Sequence, residues 1–272
     1  MPLDYKHMKP DFTLTTLKKL YSVVLEKDYK IRTLSEYLRS NVNHKIVILR
    51  HDVDRMVKNS LKIARLEHSL GIKSTFYFRY KKRIFYPGII KEISSLGHEI
   101  GYHYEVVSKA HGNMEKGIEL FKNELSEFRK IAEVNTICMH GSPLSRWDSR
   151  KLWETFDYRD FGIIGEPYFD IDYDQVAYFT DTGRRWNGEK VNIRDKVISG
   201  TRYSFRTTDE LIIALRDDKL PDKVMINIHP QRWHNNSVFW IKELIAQNLK
   251  NMIKRFVIRN TEKNEEMEDG KI

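Results

Sequence analysis

Ile46-Val47-Ile48-Leu49-Arg50-His51-Asp52-Val53-Asp54 is the stretch around which the rest of this 272-residue sequence is arranged. Its first four residues form an apolar run with high β-propensity, typical of a buried strand in a parallel sheet covered on both faces. Because side chains alternate along a strand, Asp52 and Asp54 are predicted to point to one side and His51 and Val53 to the other. Two carboxylates on one face repel each other unless a cation or a shared proton relieves them.

The end of a buried parallel strand is also the place where α/β folds bind ligands. A simpler interpretation is that the aspartates cap a helix that begins near Met56. Capping explains only one of the two carboxylates: Asp54 alone could cap the helix, and Asp52 would remain unexplained. The pair therefore predicts a functional site at the end of this strand.

Segments typical of strands and of helices alternate through most of the chain, which predicts a parallel sheet with helices outside it. The strands are predicted at 46–49, 74–78, 99–102, 136–139, 162–164, 176–179 and 223–228. The main helices are predicted at 11–26, 34–38, 57–70, 87–96, 114–132, 150–156 and 238–256. We expect one α/β domain over residues 1–260 with an N-terminal helical cover, a loop over the site at 183–202, and a frayed charged tail at 261–272.

The composition is that of an ordinary folded protein with a basic surface. Lys and Arg total 47 against 38 Asp and Glu, a net charge of +9, but they are spread along predicted helices, so nucleic acid is not an expected partner. Cys138 is the only cysteine, which excludes an internal disulfide and a cysteine-based zinc site, and we expect it to be a small buried residue. The sequence has no apolar run of membrane-spanning length and no signal-peptide pattern at its start, so we expect a cytoplasmic protein.

Ionisable residues directly follow several predicted strands, beyond the aspartates already described. They are His103 and Glu105, His140, Asp181, and His229. In a barrel these strand ends converge on one mouth. Carboxylate oxygens and imidazole nitrogens are the ligands of a catalytic divalent metal, and zinc is the first expectation. His98 precedes its strand and is expected to be structural.

Four segments resemble motifs of the polysaccharide deacetylases, the NodB-homology group of carbohydrate esterases. Residues 50–54 resemble the first motif, usually Thr-Phe-Asp-Asp, and are most similar to a subgroup with His-Asp-Val-Asp. Residues 74–78 resemble the second strand, and Gly97-His98-Glu99-Ile100-Gly101-Tyr102-His103 resembles the motif Gly-His-Glu-Ile-Gly-Asn-His. Asn227-Ile228-His229-Pro230 resembles the last motif, Leu-x-x-His. The resemblance covers residues 46–230.

This resemblance implies a distorted (β/α)7 barrel of the glycoside hydrolase/deacetylase type, in which a metal-bound water removes an acetyl group from an N-acetylated sugar. It implies that Asp52 is the base and His229 the general acid, with Asp54 and His103 binding the metal. The second metal histidine of the family falls at Val107 in this chain.

His140 is the expected replacement for that missing histidine, with Glu105 or a water molecule as alternatives. If none of them binds, the metal site is degenerate. Glu105 is also one of six residues expected to contact the substrate or to orient catalytic groups: Arg50, Glu105, Arg146, Asp181, Trp186 and Trp233.

A specific role is expected for each of the five residues other than Glu105. Asp181 is expected to orient His229. The two tryptophans would stack on sugar rings, or else pack at the surface. The two arginines would bind an anionic group of the substrate, or else pair with Asp52 and Asp148.

Three functions are consistent with these features of the sequence. The first is a metal-dependent deacetylase of an N-acetylated saccharide, and the second is an amidohydrolase of a non-sugar amide on the same barrel. The third is a catalytically inactive barrel that binds carbohydrate, suggested by Val107.

Overall fold

The structure is a computed structural model that describes residues 10–40, 44–141, 145–186 and 203–252. Seven parallel strands form one sheet in these ranges. They are β1 (Lys30–Arg32), β2 (Ile46–Val53), β3 (Thr75–Phe78), β4 (Glu99–Tyr104), β5 (Ile137–Met139), β6 (Ala177–Thr180) and β7 (Lys223–Ile228). The strand order is β5-β4-β3-β2-β7-β6, and β1 pairs with the first half of β2. The predicted α/β class is confirmed, as a curled half-barrel of parallel strands with flanking helices.

The helices are α1 (Leu14–Glu26), α2 (Leu34–Arg39), α3 (Val57–Ser69), α4 (Pro87–Ser95), α5 (Val106–Lys109), α6 (Met114–Arg129), α7 (Pro167–Asp170) and α8 (Thr208–Arg216). A further helix, α9, covers 237–252 and begins where the Asn236 side chain accepts hydrogen bonds from two backbone N–H groups. Short 3-10 helices occupy Ser149–Glu154, Tyr158–Phe161 and Pro230–Arg232. Within the described ranges, none of these helices is long and apolar enough to cross a membrane.

The two faces of the sheet carry different clusters, as the alternation of side chains requires. The face towards the helices bears Val47, Leu49 and Val53, which belong to the main hydrophobic core. The opposite, inner face bears Ile46 and Ile48, which belong to a smaller cluster with residues of the neighbouring strands. Arg50 and Asp52 continue this inner row towards the carboxyl end of β2. The site therefore lies inside the curl of the sheet.

β2 is longer than the apolar run predicted. Residues 50–53 pair with β3, and residues 50–51 also pair with β7. These backbone hydrogen bonds on both sides hold Arg50, His51 and Asp52 within the strand although their side chains are polar. The prediction that the strand ends at Leu49 was wrong for this reason.

Two further strand predictions need correction. β1 was not predicted, because Lys30-Ile31-Arg32 has no apolar run and depends on pairing with β2. The strand predicted at 162–164 is absent from this described region, where Gly165 makes only an isolated bridge to Thr136. Gly162, with a φ of 70°, turns the chain just before it. The tail 261–272 and most of the loop 183–202 lie outside the described residues.

Candidate metal centre and active site

Asp52 lies on the inner face of β2 and is almost completely buried, with 4% of its surface exposed. Its Oδ2 accepts hydrogen bonds from Asn227 Nδ2 at 2.9 Å and from Arg50 Nη2 at 3.3 Å. Asn227 reaches it because β7 pairs with β2 in a register that places Asn227 beside Arg50. Burial raises the pKa of Asp52, but the charges of Arg50, His103 and His229 outweigh it, and the pKa is lowered. This carboxylate is therefore ionised at neutral pH.

Asp54 follows the end of β2 and faces three imidazoles. Its Oδ1 lies 3.5 Å from Nε2 of His103 and 3.5 Å from Nε2 of His140. Its Oδ2 lies 3.9 Å from Nε2 of His229. Burial raises the pKa of Asp54, but the three histidines lower it well below its usual value. Ligands about 2.1 Å from a tetrahedral zinc ion would be about 3.4 Å apart, which matches both 3.5 Å separations.

His103 is oriented by a backbone group. Its Nδ1 lies 2.8 Å from the carbonyl oxygen of Cys138, so the Nδ1 hydrogen is donated there and Nε2 is left to accept or to bind a metal. Burial lowers the pKa of His103, but Asp52 and Asp54 outweigh burial and raise it. In the absence of a metal, the two aspartates therefore favour the charged form of this imidazole.

His140 follows β5 and is oriented by a carboxylate. Its Nδ1 lies 3.1 Å from Glu105 Oε2, and Glu105 in turn accepts hydrogen bonds from Arg79 at 2.7–3.2 Å. Burial lowers the pKa of His140, partly offset by Asp54 and Glu105. This arrangement keeps the imidazole neutral, which is the form that binds a metal.

The donor atoms around Asp54 fit a metal. Oδ1 of Asp54 is buried and has no hydrogen-bond partner among the described residues, although it lies 3.5 Å from Nε2 of His103 and of His140. A buried carboxylate oxygen without a partner is costly, and a cation held by this oxygen and the two imidazoles would remove that cost. The residues present therefore fit a divalent metal.

A second donor set shares His103 with the first. Ligand atoms of Asp52, His103 and Cys138 lie within 4.8 Å of one another, and all three residues are buried. The expectation that Cys138 is a small buried residue is confirmed, but the sequence did not indicate that it lies beside an acid and a histidine. A catalytic site needs an open position for water. Asp54 and His140 have 20% and 13% of their side chains exposed, whereas Cys138 has no exposed surface, so the first set suits catalysis better.

His229 is held by Asp181, as the sequence predicts. Asp181 Oδ2 accepts from the backbone N–H of His229 at 3.0 Å, and Oδ1 lies 2.7 Å from His229 Nδ1. Burial raises the pKa of Asp181, but Arg232 and His229 lower it to about 2. Arg232 Nη1 also lies 2.7 Å from Nδ1, but it already donates to Asp181. We therefore assign the Nδ1 hydrogen to the bond with the Asp181 carboxylate, while Nε2 lies 3.9 Å from Asp54 Oδ2.

The structure does not support a sugar-stacking role for Trp186 and Trp233. They are 3% and 1% exposed, and their indole N–H groups donate to Thr208 and Asp181. A ring packed on both sides has no face left for a ligand, so both are core residues. Trp233 instead contributes by holding Asp181.

The two candidate arginines have different positions. Arg50 is 1% exposed and pairs with Asp52, the alternative to substrate binding. Its guanidinium also lies over the rings of Tyr168 and Tyr178. Arg146 is exposed and lies over the ring of Trp147. Asp148, its proposed partner, pairs with Arg150 at 2.7 Å.

Several site residues were missed by sequence reasoning. They are Arg79, Cys138, Tyr178, Asn227, Gln231 and Arg232. A signal existed for Asn227 and Cys138, since each precedes a predicted site histidine by two residues and so lies on the same strand face. Val107 is buried in α5, and His98 contacts Ser74 and Ala64 in the core, as expected of a structural residue.

No family model matches this sequence, and no curated protein matches it. Among solved structures, the chain is similar to PdaA of Bacillus subtilis, a family 4 carbohydrate esterase, with 14% identity over 84% of each chain and a TM-score of 0.42. It is similar to the peptidoglycan deacetylase PdaC of Bacillus subtilis, with 12% identity over 85% of this chain and 98% of that chain and a TM-score of 0.41. A CE4 family pseudoenzyme from Bacillus anthracis matches 75% of this chain and 60% of its own at 14% identity and a TM-score of 0.40.

Proposed function

We propose that this protein is a metal-dependent hydrolase that removes an acetyl group from an N-acetylated saccharide, as a polysaccharide deacetylase does. The observation that carries the proposal is the convergence of Asp54, His103 and His140 beside the Asp52 carboxylate and the Asp181-bound His229. This arrangement supplies a metal site, a base and an acid within one small volume. Amide hydrolysis needs all three.

Asp54, His103 and His140 would hold the metal, for which zinc is the proposed identity. When bound, the metal lowers the pKa of a water molecule and polarises the acetyl carbonyl. Glu105 and the Cys138 carbonyl fix the two imidazole rings from behind. Pre-set ring orientations reduce the cost of ordering the ligands when the metal binds.

Asp52 would take the proton from the attacking water. Arg50 and Asn227 occupy its Oδ2, which leaves Oδ1 without a partner among the described residues and in place to accept that proton. The neighbouring positive charges keep it ionised, so it is in its basic form at neutral pH.

His229 would give a proton to the departing amine through Nε2. Asp181 accepts the Nδ1 hydrogen, which stabilises the charged imidazole that this role requires. Asp181 is itself buried and fixed by Arg232 and Trp233, so the acid is held in one orientation.

A non-sugar amide and an inactive carbohydrate-binding barrel remain the alternatives. One experiment separates all three: metal content is measured on the purified chain by mass spectrometry, together with acetate release from N-acetylated chito-oligosaccharides and from simple acetanilides. We expect about one zinc per chain, retained in His44→Ala, an exposed control, and lost in His103→Ala and His140→Ala.

Acetate release from the saccharide alone supports a deacetylase of sugars, whereas release from the anilide alone supports the second function. Full metal occupancy without hydrolysis of either substrate would support an inactive barrel. A wild-type chain that binds no metal would overturn the proposal.

A further inference from the structure

Helix α9 has its polar side against the protein and its apolar side towards solvent. Glu243, Gln247 and Asn251, spaced one turn apart, are 8%, 3% and 5% exposed. The opposite side carries an apolar row, by which we mean Val238, Ile241, Ile245, Leu249 and Met252, each 49–65% exposed. A helix packed on a globular core normally shows the reverse arrangement. The apolar row is therefore a surface made for contact with something else.

Specific contacts hold α9 in this orientation. Glu243 pairs with Arg55 at 3.4 Å, and Asn251 Nδ2 donates to the Gly183 carbonyl at 3.0 Å. Gln247 donates to Asn251 at 2.8 Å, and Trp240 Nε1 donates to the Asp11 carbonyl. Turning the apolar row inward would break the three contacts that join α9 to the rest of the chain, those with Arg55, Gly183 and Asp11. The outward row is thus fixed by the buried polar side.

The charged residue beside the apolar row is basic. Lys242 is exposed next to the row, while Glu243, the one acidic residue within 237–252, is buried against Arg55 on the opposite side of the helix. The sequence continues with Lys254-Arg255, and the whole chain has a net charge of +9. An apolar row beside basic residues is typical of a helix that lies in the interface of an anionic membrane.

We propose that α9 docks this protein on a membrane surface that contains anionic lipid, with the apolar row in the interface and Lys242 beside the phosphate groups. A second copy of the chain is a poorer partner, because pairing two such rows would bring like-charged lysines together. The helix lies next to the site, since its partner Arg55 follows the metal-binding candidate Asp54 directly. Glu243 and Arg55 meet on the side of α9 opposite the apolar row, so docking would hold the helix between the membrane and this end of β2. This inference holds whether or not the proposed hydrolysis occurs.

The test uses the full chain with vesicles of phosphatidylcholine alone and of phosphatidylcholine mixed with phosphatidylglycerol, and measures binding by co-sedimentation. The variant Ile241→Gln/Ile245→Gln/Leu249→Gln removes the middle of the apolar row. The matched control, Leu25→Gln/Phe169→Gln/Ile213→Gln, changes three apolar residues of 40–55% exposure on other surfaces. Thermal unfolding followed by circular dichroism checks that both variants fold.

We expect the wild type and the control to bind the mixed vesicles, the row variant to bind at least about tenfold more weakly, and added salt to weaken binding. Equal binding by the row variant, or none by the wild type, would overturn the proposal. Light scattering without lipid tests the other occupant: a wild-type dimer that the row variant converts to a monomer would assign the row to a second copy. Neither measurement depends on catalytic activity, so failure here is distinguishable from failure of the proposed hydrolysis.

Discussion

His140 and His103 are oriented by different kinds of group, and the difference has a consequence for metal affinity. His103 is held by a backbone carbonyl, whereas His140 is held by the side chain of Glu105. Burial raises the pKa of Glu105, but His140 and Arg79 lower it to about 2, so this carboxylate is ionised at neutral pH. Nδ1 of His140 lies 3.1 Å from this carboxylate without the alignment of a hydrogen bond, so Glu105 acts through its charge, which favours the hydrogen on Nδ1 and leaves the Nε2 lone pair towards Asp54.

Replacing Glu105 with Gln should therefore weaken metal binding by about 10- to 100-fold, because a neutral amide lacks the negative charge that favours the hydrogen on His140 Nδ1. Competition with a chromophoric chelator measures the affinity. Glu92→Gln, which removes a carboxylate from an exposed ion pair with Arg65, is the control and should bind like the wild type. An unchanged affinity in Glu105→Gln would show that Glu105 does not orient the ligand.

Asp52→Asn should lower the rate of hydrolysis by about 10²- to 10⁴-fold while leaving metal content unchanged, because the amide cannot take a proton from water. Arg50 and Asn227 can still surround the new side chain, so the fold should persist. Kinetics and metal analysis on the same preparation check this. If Asp52→Asn loses the metal and Asp54→Asn keeps it, the two roles are the reverse of those proposed.

The alternation of side chains along a strand was enough to predict that Asp52 and Asp54 lie on one face. Position at the carboxyl end of a strand was enough to predict that His103, His140 and His229 lie near them. Arg79 directly follows β3 and carries the same strand-end signal, although it was not among the predicted site residues. The burial of Trp186 was not predictable, since it depends on packing against Phe12 and Trp233 from distant parts of the chain.

The strand β2 has one half that its own sequence predicts and one half that depends on the neighbouring strands. The apolar residues 46–49 were sufficient to predict a buried strand, and β3, β4, β5 and β7 were predicted within about one or two residues for the same reason. The polar half of β2, residues 50–53, is a strand because it pairs with β3 and, at residues 50–51, with β7. β1 and α5 were missed, because three or four residues carry too little periodicity to be distinguished from a loop.

Glu166, at the start of α7, makes stability depend on pH near neutrality. It is fully buried, and burial raises the pKa of Glu166 to about 7 although Met139 and Tyr168 donate backbone hydrogen bonds to it. A carboxyl group with a raised pKa stabilises the fold below its unfolded pKa, and that contribution is lost as the pH rises through the folded value. The loss from this one group should be about 3 kcal/mol between about pH 4.5 and pH 7.

Glu166→Gln should therefore make the free energy of unfolding less dependent on pH in that window. Urea titrations at a series of pH values measure it. Glu154→Gln, an exposed change nearby, should leave the wild-type slope intact. The same slope in Glu166→Gln as in the wild type would show that Glu166 ionises elsewhere than at about pH 7.

The sheet has charged groups buried on both of its faces. The inner face holds the site, while on the helix side His51 Nε2 lies 2.8 Å from Glu67 Oε1 and Ser74 donates to the same carboxylate at 2.6 Å. His51 and Asp52 are neighbours in sequence, so β2 joins the cluster on the helix side directly to the site on the inner face. Ionised carboxylates therefore lie against both faces of a sheet whose buried parallel strands would ordinarily meet apolar side chains.

Acid should consequently unfold this protein in a way that can be assigned to particular groups. Burial raises the pKa of Glu67, but His51 and His98 lower it, and Asp181 is lowered to about 2 by Arg232 and His229. A carboxyl group with a lowered pKa stabilises the fold above its unfolded pKa, and that contribution is lost as the pH falls towards the folded value. For Asp181 the loss between about pH 4 and pH 2 should be about 2 kcal/mol.

Asp181→Asn should therefore be less stable than the wild type at pH 6 and should lose about 2 kcal/mol less as the pH falls from about 4 to 2. Asp209→Asn is the matched control, because Asp209 is 61% exposed in its pair with Lys19 and contributes little to the slope. Urea unfolding followed by tryptophan fluorescence gives both free energies, since Trp233 donates to Asp181 and reports on this region directly. A wild-type acid slope that Asp181→Asn leaves unchanged would mean that the Asp181 charge is not coupled to folding.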